Sequence, residues 1–194
     1  MDKNGINNLI MYGVIGVALV FGLFIALSIS NQPQETVTTK AEIGASAPNF
    51  SLKTLDGKTI NLSEYKGKNV VLFFNEGSMC YPSCWNQIKE LAMDERFNNS
   101  ETVSFSVVVD EMKNWRKITQ QFPEFSASKL IFDITGETSK NYGALDMPSS
   151  MHGGMMPGHT YYIIDKEGTL RFVYDDPMMG IRNDLISGEI AKLN

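Results

Sequence analysis

Two cysteines four residues apart are the strongest candidates for chemistry in this chain. Cys80 and Cys84 lie in the stretch EGSMCYPSCWNQ and are the only two cysteines among the 194 residues. Such a pair could form a reversible disulfide, bind a metal ion, staple the fold, or stay inert as small core residues. A disulfide closing so short a loop adds little stability, so redox chemistry and metal binding are the stronger interpretations.

The local sequence predicts that Cys84 lies in the first turn of a helix. Pro82 suits the first helical position, where a missing amide hydrogen costs nothing, and Tyr81 would then be the N-cap. The free amides and the positive end of the helix dipole favour a thiolate there and lower a cysteine pKa. Residues four apart on a helix have Cα atoms about 6 Å apart, inside the disulfide range. Cys80 and Cys84 could therefore join and separate with little backbone movement.

Three further side chains could act beside the thiols. Tyr81 and Trp85 would frame them, although Trp85 could also simply pack its helix on the sheet. Glu76 could shuttle a proton to a thiol, but loop carboxylates are usually exposed, and we expect the same of this one. The sequence does not favour a zinc site. A site that adds His152 and His159 to the two cysteines would need six residues between the histidines, outside the usual three to five. We therefore expect His152 to be a solvated loop residue.

The elements that must position these residues alternate between strands and helices. Two short runs around Asp56-Gly57 predict a hairpin, and unbroken apolar runs predict strands that are buried on both faces. The predicted strands cover 70–74, 103–110, 130–134, 160–165 and 169–174, and the predicted helices cover 85–97, 111–122, 136–143 and 181–193. This alternation predicts an α/β fold with a mixed sheet.

An apolar run near the start of the chain predicts a transmembrane helix over residues 9–29. Its 21 residues contain no charge and no proline, and a helix of that length matches a hydrocarbon core of about 30 Å. A secretory signal normally has a shorter apolar run. The small residues Ser28 and Ser30 nevertheless leave open that this segment is a signal that is cleaved. The N-terminal flank has two positive charges, Lys3 and the α-amino group, and one negative charge, Asp2. This excess of positive charge favours a cytoplasmic N-terminus. We therefore expect a single-pass membrane protein with an extracytoplasmic domain, where disulfides persist.

The chain accordingly divides into four parts. Residues 1–8 form an N-terminal flank, 9–29 the transmembrane helix in contact with lipid, 30–43 a polar linker, and 44–194 a single domain. The net charge of −5 argues against nucleic acid as a partner, because binding phosphates requires a basic face.

Three features of the sequence carry a family resemblance. They are the segment GASAPNFSLKTLDGKTINLSEYKGKNVVLFF at 44–74, the pairing of Asp133 with Tyr142-Gly143, and the segment TYYIIDKEGTLRFVY at 160–174. Together they resemble the redoxins, which comprise the alkyl hydroperoxide reductase/thiol-specific antioxidant family and its membrane-bound thiol-disulfide relatives. The resemblance covers residues 44–175 and implies a thioredoxin-like fold, in which helices flank a mixed central sheet.

The resemblance also implies an activity. A redoxin of this kind would be a thiol-dependent oxidoreductase that cycles a disulfide between Cys80 and Cys84 and needs no dissolved cofactor. Its partners would be a thioredoxin-like electron donor or a protein disulfide substrate, and a peroxide is a further candidate substrate.

The cysteine motif departs from those of both peroxiredoxins and thioredoxins. Peroxiredoxins carry P-x-x-x-T/S-x-x-C, but the matching positions are Gly77 and Tyr81 when counted from Cys84, or Phe73 and Gly77 when counted from Cys80. Thioredoxins carry C-x-x-C, one residue shorter than the motif here. Cys80 falls near the attacking cysteine of thioredoxins and Cys84 near that of peroxiredoxins, so the identity of the nucleophile stays open.

His159 supports a second interpretation. It lies six residues before Asp165, where thioredoxins usually have a cis-proline and peroxiredoxins an arginine. In the family fold this loop faces the cysteines. The pattern C-x-x-x-C followed by a histidine just before a strand also resembles the Sco-type copper chaperones, which implies copper binding by Cys80, Cys84 and His159. Thiolates suit Cu(I) and imidazole suits Cu(II), so a copper-delivery protein is the alternative to an enzyme.

Methionines accumulate in the same part of the chain. Six of the eleven lie between residues 147 and 179. Thioethers can bind copper, but methionines also provide adaptable apolar contacts in mobile loops and partner surfaces. The second interpretation is the one we favour.

Overall fold

The computed structural model describes residues 41–193, which contain a seven-stranded sheet and four α-helices. The strands are β1 (Ser51–Thr54), β2 (Thr59–Asn61), β3 (Asn69–Phe74), β4 (Thr102–Val108), β5 (Leu130–Phe132), β6 (Thr160–Ile164) and β7 (Leu170–Asp175). The helices are α1 (Ser83–Met93), α2 (Met112–Gln121), α3 (Glu137–Asn141) and α4 (Asn183–Ala191). The expected transmembrane helix at 9–29 lies outside the described residues. Within residues 41–193, no helix is long and apolar enough to cross a membrane.

The sheet is mixed, as the alternation of elements predicts. Its strand order is β2-β1-β5-β4-β3-β6-β7. The pairs β3–β4 and β4–β5 are parallel, whereas β1–β2, β1–β5, β3–β6 and β6–β7 are antiparallel. The hairpin predicted around Asp56-Gly57 is therefore present as β1–β2 at one edge of the sheet, and β6–β7 forms a second hairpin at the other edge.

Two apolar cores cover the two faces of the sheet. Along β3, Val70, Leu72 and Phe74 belong to one core, and Val71 and Phe73 belong to the other. The second core also receives apolar side chains from α1, α2 and α4. Because every residue of β3 is buried, this strand needs an unbroken apolar run rather than an alternating one.

The pairing of β3 with β6 determines where the functional loops emerge. In this antiparallel pair Phe74, the last residue of β3, lies opposite Thr160, the first residue of β6. The carboxyl end of one strand therefore lies beside the amino end of the other. The cysteine segment follows Phe74 directly and His159 precedes Thr160 directly, so both reach the same edge of the sheet.

The predicted boundaries are correct to within a few residues, with one difference near the first helix. The predicted helix 85–97 consists of α1 and a separate 3-10 turn at Glu95–Phe97. Asp94 ends α1 because its backbone is extended, and its carboxylate accepts a hydrogen bond from the amide of Arg96 in the next turn.

Candidate active site

A disulfide joins Cys80 and Cys84 at the start of α1. Their Cα atoms are 5.3 Å apart, close to the expected separation. The prediction that Tyr81 is the N-cap and Pro82 the first helical residue is wrong by one position, because α1 begins at Ser83 and Pro82 is its N-cap. The carbonyl of Pro82 accepts the first hydrogen bond of the helix, from the amide of Asn86, which is the role of an N-cap residue.

The imidazole of His159 lies against the disulfide. Its Nδ1 atom is 3.6 Å from Sγ of Cys84, and its Nε2 atom is 3.0 Å from the hydroxyl oxygen of Tyr161. The ring packs edge-on against Phe73, with 4.6 Å between ring centroids, and the residue is only 1% exposed. The loop before β6 thus faces the cysteines, as the family resemblance implies.

Burial determines the charge of this histidine. It lowers the pKa of the His159 imidazole to about 4, although the carboxylates of Asp176 and Asp175 oppose that shift. The ring is therefore neutral at physiological pH, and only one of its two nitrogens carries a proton.

Cys80, Cys84 and His159 form a compact set of potential ligands. One donor atom from each residue can be chosen so that the three atoms lie within 4.8 Å of one another, and all three residues are buried. No other group of three or more cysteine, histidine or carboxylate side chains in residues 41–193 meets that condition. With the disulfide reduced, this set would offer two sulfurs and one nitrogen, a donor set suited to copper.

Asp110 holds the segment that leads into Cys80. Its carboxylate accepts hydrogen bonds from the Ser78 amide (2.8 Å), the Ser78 hydroxyl (2.5 Å) and the indole N–H of Trp115 (2.7 Å). Gly77 allows this close approach, because a Cβ there would overlap Asp110 Oδ2, and its φ of +61° also favours glycine. No pattern in the sequence indicates this role of Asp110.

Glu76 is buried, contrary to the expectation of an exposed loop carboxylate. It is 2% exposed and accepts hydrogen bonds from the amides of Met151 (2.6 Å) and His152 (3.1 Å). These amides come from the loop between α3 and β6, so the carboxylate anchors that loop beside the cysteine segment. His152 is half-exposed rather than fully solvated, with Nδ1 3.3 Å from Glu76 Oε1.

Two consecutive carboxylates hold the segment around His159. Asp175 accepts a hydrogen bond from the amide of Ser149 (3.0 Å), and the hydroxyl of Ser149 in turn accepts one from the amide of His159 (2.7 Å). The amide of Asp176 donates to the carbonyl of His159, and its carboxylate pairs with Arg182 at 2.8 Å. Burial raises the pKa of Asp176, but the bonds from Arg182 and from backbone amides outweigh it and hold that pKa below its ordinary value.

The two aromatic residues expected to frame the site behave differently. Tyr81 is exposed beside the disulfide. Trp85 is half-buried and packs α1 against an aromatic cluster, which agrees with the packing interpretation for this residue. Its ring centroid lies between 5.1 and 5.8 Å from those of Tyr81, Trp115, Phe122 and Phe125.

The methionines do not all have the same surroundings. Met79, Met151, Met155 and Met178 are exposed, and Met147 packs against the core. Exposed thioethers on the segments next to Cys80 and His159 fit an adaptable surface better than core packing.

Comparisons with known proteins place this site in context. A profile of the AhpC/TSA family matches residues 43–173. The thiol-disulfide oxidoreductase ResA of Bacillus thuringiensis subsp. konkukian is 30% identical, over 82% of this chain and 79% of its own length. Chloroplastic peroxiredoxin Q of Triticum aestivum is 28% identical over 72% of this chain, and the chain spans 62% of that relative's length.

Solved structures show the same fold. The exposed lipoprotein thioredoxin Etrx1 of Streptococcus pneumoniae strain TIGR4 matches with a TM-score of 0.56 and 25% identity, over 75% of this chain and 99% of its own. Peroxidoxin BcpB of Mycobacterium tuberculosis matches with a TM-score of 0.63 and 20% identity, over 79% and 99%. Both likenesses support the thioredoxin-like fold implied by the sequence.

The close approach of Asp110 to Gly77 predicts an unequal response to two glycine substitutions. Gly77→Ala should lower the free energy of unfolding by about 2 to 4 kcal/mol, because it adds a clash to the cost of a positive φ. Gly57→Ala is the matched control, since its φ is +86° and no atom lies within 4 Å of the added Cβ; it should cost only about 1 to 2 kcal/mol. Urea unfolding of both oxidised variants tests this, and equal costs would contradict it.

The low pKa of His159 predicts acid destabilisation. Between its ordinary pKa of 6.5 and its folded value of about 4, the unfolded chain binds a proton that the folded protein does not. The free energy of unfolding should therefore decrease as the pH falls through this window, by on the order of 3 kcal/mol.

Urea unfolding of the oxidised, metal-free protein at several pH values between 4 and 7 measures this loss. His159→Gln cannot titrate, so its free energy of unfolding should depend less steeply on pH than that of the wild type. Parallel pH profiles for the two proteins would show that His159 does not cause the loss.

Proposed function

This chain belongs to the AhpC/TSA family, a family of thiol-dependent oxidoreductases, and we propose that it catalyses thiol-disulfide exchange through Cys80 and Cys84. The observation that carries the proposal is the disulfide at the start of α1, with the neutral imidazole of His159 3.6 Å from Cys84 Sγ. The similarity to the thiol-disulfide oxidoreductase ResA supports the same reaction.

The reaction would proceed in two exchanges. In the reduced protein, a thiolate at Cys80 attacks one sulfur of a substrate disulfide, and the other substrate sulfur leaves as a thiolate. The Cys84 thiolate then attacks Cys80 Sγ in the mixed disulfide and releases the second substrate sulfur. The substrate gains two electrons, and the protein ends with the Cys80–Cys84 disulfide that a dithiol donor must reduce again.

Access and surroundings favour Cys80 as the sulfur that meets the substrate. Cys80 is 4% exposed and Cys84 only 1%, and Cys84 lies inside the first turn of α1. The helix dipole stabilises a thiolate at Cys84, which suits a leaving group when the donor attacks Cys80.

A hydroperoxide is the alternative substrate within the same chemistry. The similarity to peroxiredoxin Q supports it. The positions where peroxiredoxins hold a proline and a threonine or serine are occupied here by Gly77 and Tyr81, so neither can provide a hydroxyl group buried beside Cys84. Disulfide exchange is therefore the preferred reaction.

The partners and the location follow from the same proposal. A thioredoxin-like dithiol protein would supply the electrons, and no dissolved cofactor would be required. The uncharged apolar run at 9–29 supports anchoring in a membrane, with the catalytic domain on the extracytoplasmic side. The exposed methionines near the site would then face the partner proteins.

Substitution of each cysteine tests the proposal. Reduced Cys84→Ser should accumulate a mixed disulfide at Cys80 when mixed with insulin, because no resolving thiol remains. Cys80→Ser should trap on the order of tenfold less, since Cys84 is the more buried sulfur. Non-reducing electrophoresis and mass spectrometry measure both products.

Two other outcomes would point to different chemistry. Trapping through Cys84 alone would assign the attacking sulfur to that residue and overturn the order of steps. Absence of trapping in both variants, together with oxidation of the reduced wild type by hydrogen peroxide far faster than a free cysteine, would identify a peroxidase instead.

Copper delivery is the second candidate function, and the close approach of the three donor atoms of Cys80, Cys84 and His159 favours it. Reduced Cys80 and Cys84 would supply two soft thiolates, and His159 would supply Nδ1. Copper would then be the cargo of the protein. Nδ1 would have to carry no proton to bind it, since a protonated nitrogen has no free lone pair.

His159→Ala tests the copper function. If Cys80, Cys84 and His159 bind Cu(I), this variant should lose stoichiometric binding by the reduced protein in competition with a chromophoric chelator. His152→Ala is the matched control, because His152 contacts Glu76 rather than the cysteines. Equal copper binding by wild type and both variants would contradict a site that includes His159.

A further inference from the structure

Tyr161 places a buried hydroxyl group against the far side of the His159 ring. It follows His159 by two residues and is fully buried in β6. Its ring stacks on Phe73 with 4.8 Å between centroids, and its hydroxyl oxygen is 3.0 Å from His159 Nε2. The hydroxyl, the imidazole and Cys84 Sγ therefore form a chain of three neighbouring groups.

The hydroxyl proton of Tyr161 needs an acceptor. Among residues 41–193, the only hydrogen-bond partner of this hydroxyl is His159 Nε2. A buried donor without an acceptor is costly, so the hydroxyl donates and Nε2 accepts. Because Nε2 accepts this hydrogen bond it carries no proton, so the single proton of the imidazole lies on Nδ1, the nitrogen that faces Cys84.

We propose that Tyr161 is a positioning residue that keeps the proton of His159 on Nδ1, where the N–H can donate to a thiolate at Cys84. The functional consequence of this inference rests on the proposed thiol-disulfide exchange reaction. A disulfide sulfur is a weak acceptor and a thiolate a strong one. The Nδ1–H bond thus stabilises the reduced protein more than the oxidised one.

The consequence for the exchange reaction concerns the leaving group. When a donor thiolate attacks Cys80 Sγ, a new S–S bond forms and the Cys80–Cys84 bond breaks. The electron pair of the broken bond passes to Cys84 Sγ, next to Nδ1–H. Tyr161 touches neither sulfur in this step and acts only through the orientation and tautomer of His159.

Nitrogen NMR of the full chain labelled with ¹⁵N-histidine tests the tautomer directly. The chain contains only two histidines, and His152→Asn assigns their signals. In the wild type, Nδ1 of His159 should have the chemical shift of a protonated nitrogen and Nε2 that of an unprotonated one. Tyr161→Phe removes the hydroxyl donor, so the two shifts should move towards each other as both tautomers become populated.

The reduction potential tests the functional consequence. Tyr161→Phe should make the potential of the Cys80–Cys84 couple more negative by about 30 mV, a tenfold change in the exchange equilibrium. Tyr162→Phe is the matched control, because Tyr162 is also buried in β6 but its hydroxyl donates to the carbonyl of Tyr142. That variant should lose stability while the tautomer and the potential stay unchanged.

Several results would overturn the proposal. One is a wild-type His159 protonated on Nε2, which can be observed even if Tyr161→Phe does not fold. Another is a potential that stays the same in Tyr161→Phe or shifts equally in both tyrosine variants. The failure of the proposed function would be recognised separately, since the cysteine variants would then trap no mixed disulfide while the tautomer and the potential still responded to Tyr161→Phe.

Discussion

The antiparallel pairing of β3 with β6 is the constraint on which the site depends. Side chains alternate between the two faces of a strand, so this register fixes the face to which each residue near the edge of the sheet points. Phe73 and Tyr161 are paired and lie on the same face as α1. The ring of His159 rests against both of them, and the disulfide at the start of α1 lies above it. A shift of one residue in β6 would turn this histidine to the opposite face.

Carboxylates hold the irregular segments to this frame. Asp110 binds the amide before the cysteines, Glu76 binds two amides of the loop that precedes β6, and Asp175 and Asp176 hold the surroundings of His159. A charged acceptor forms stronger hydrogen bonds to backbone amides than a neutral one. The loops that carry the site therefore have fixed positions even though they contain little regular secondary structure.

The sequence predicts much of the fold and of the reacting groups because both produce local patterns. Apolar runs mark the strands, and the family resemblance brings His159 to the cysteines. Glu76 and Asp110 could not be predicted in the same way, since a carboxylate between elements looks solvated until the folded chain supplies its amide donors. Tyr161 lies within an apolar run, where an aromatic residue indicates only a strand. Pro82 is predicted to be the first residue of α1, but α1 begins one residue later, at Ser83. This distinction depends on which carbonyl accepts the first hydrogen bond of the helix.

The aromatic cluster around α1 gives this protein a built-in optical reporter. Trp85 and Trp115 are the only two tryptophans of the chain, and their ring centroids are 5.8 Å apart. Trp85 adjoins Cys84 in the sequence, and the indole of Trp115 donates to the Asp110 carboxylate that also binds the segment before Cys80. All tryptophan fluorescence of the protein therefore arises from two residues linked to the cysteine segment, so the intrinsic emission should follow the opening and closing of the disulfide without any added label.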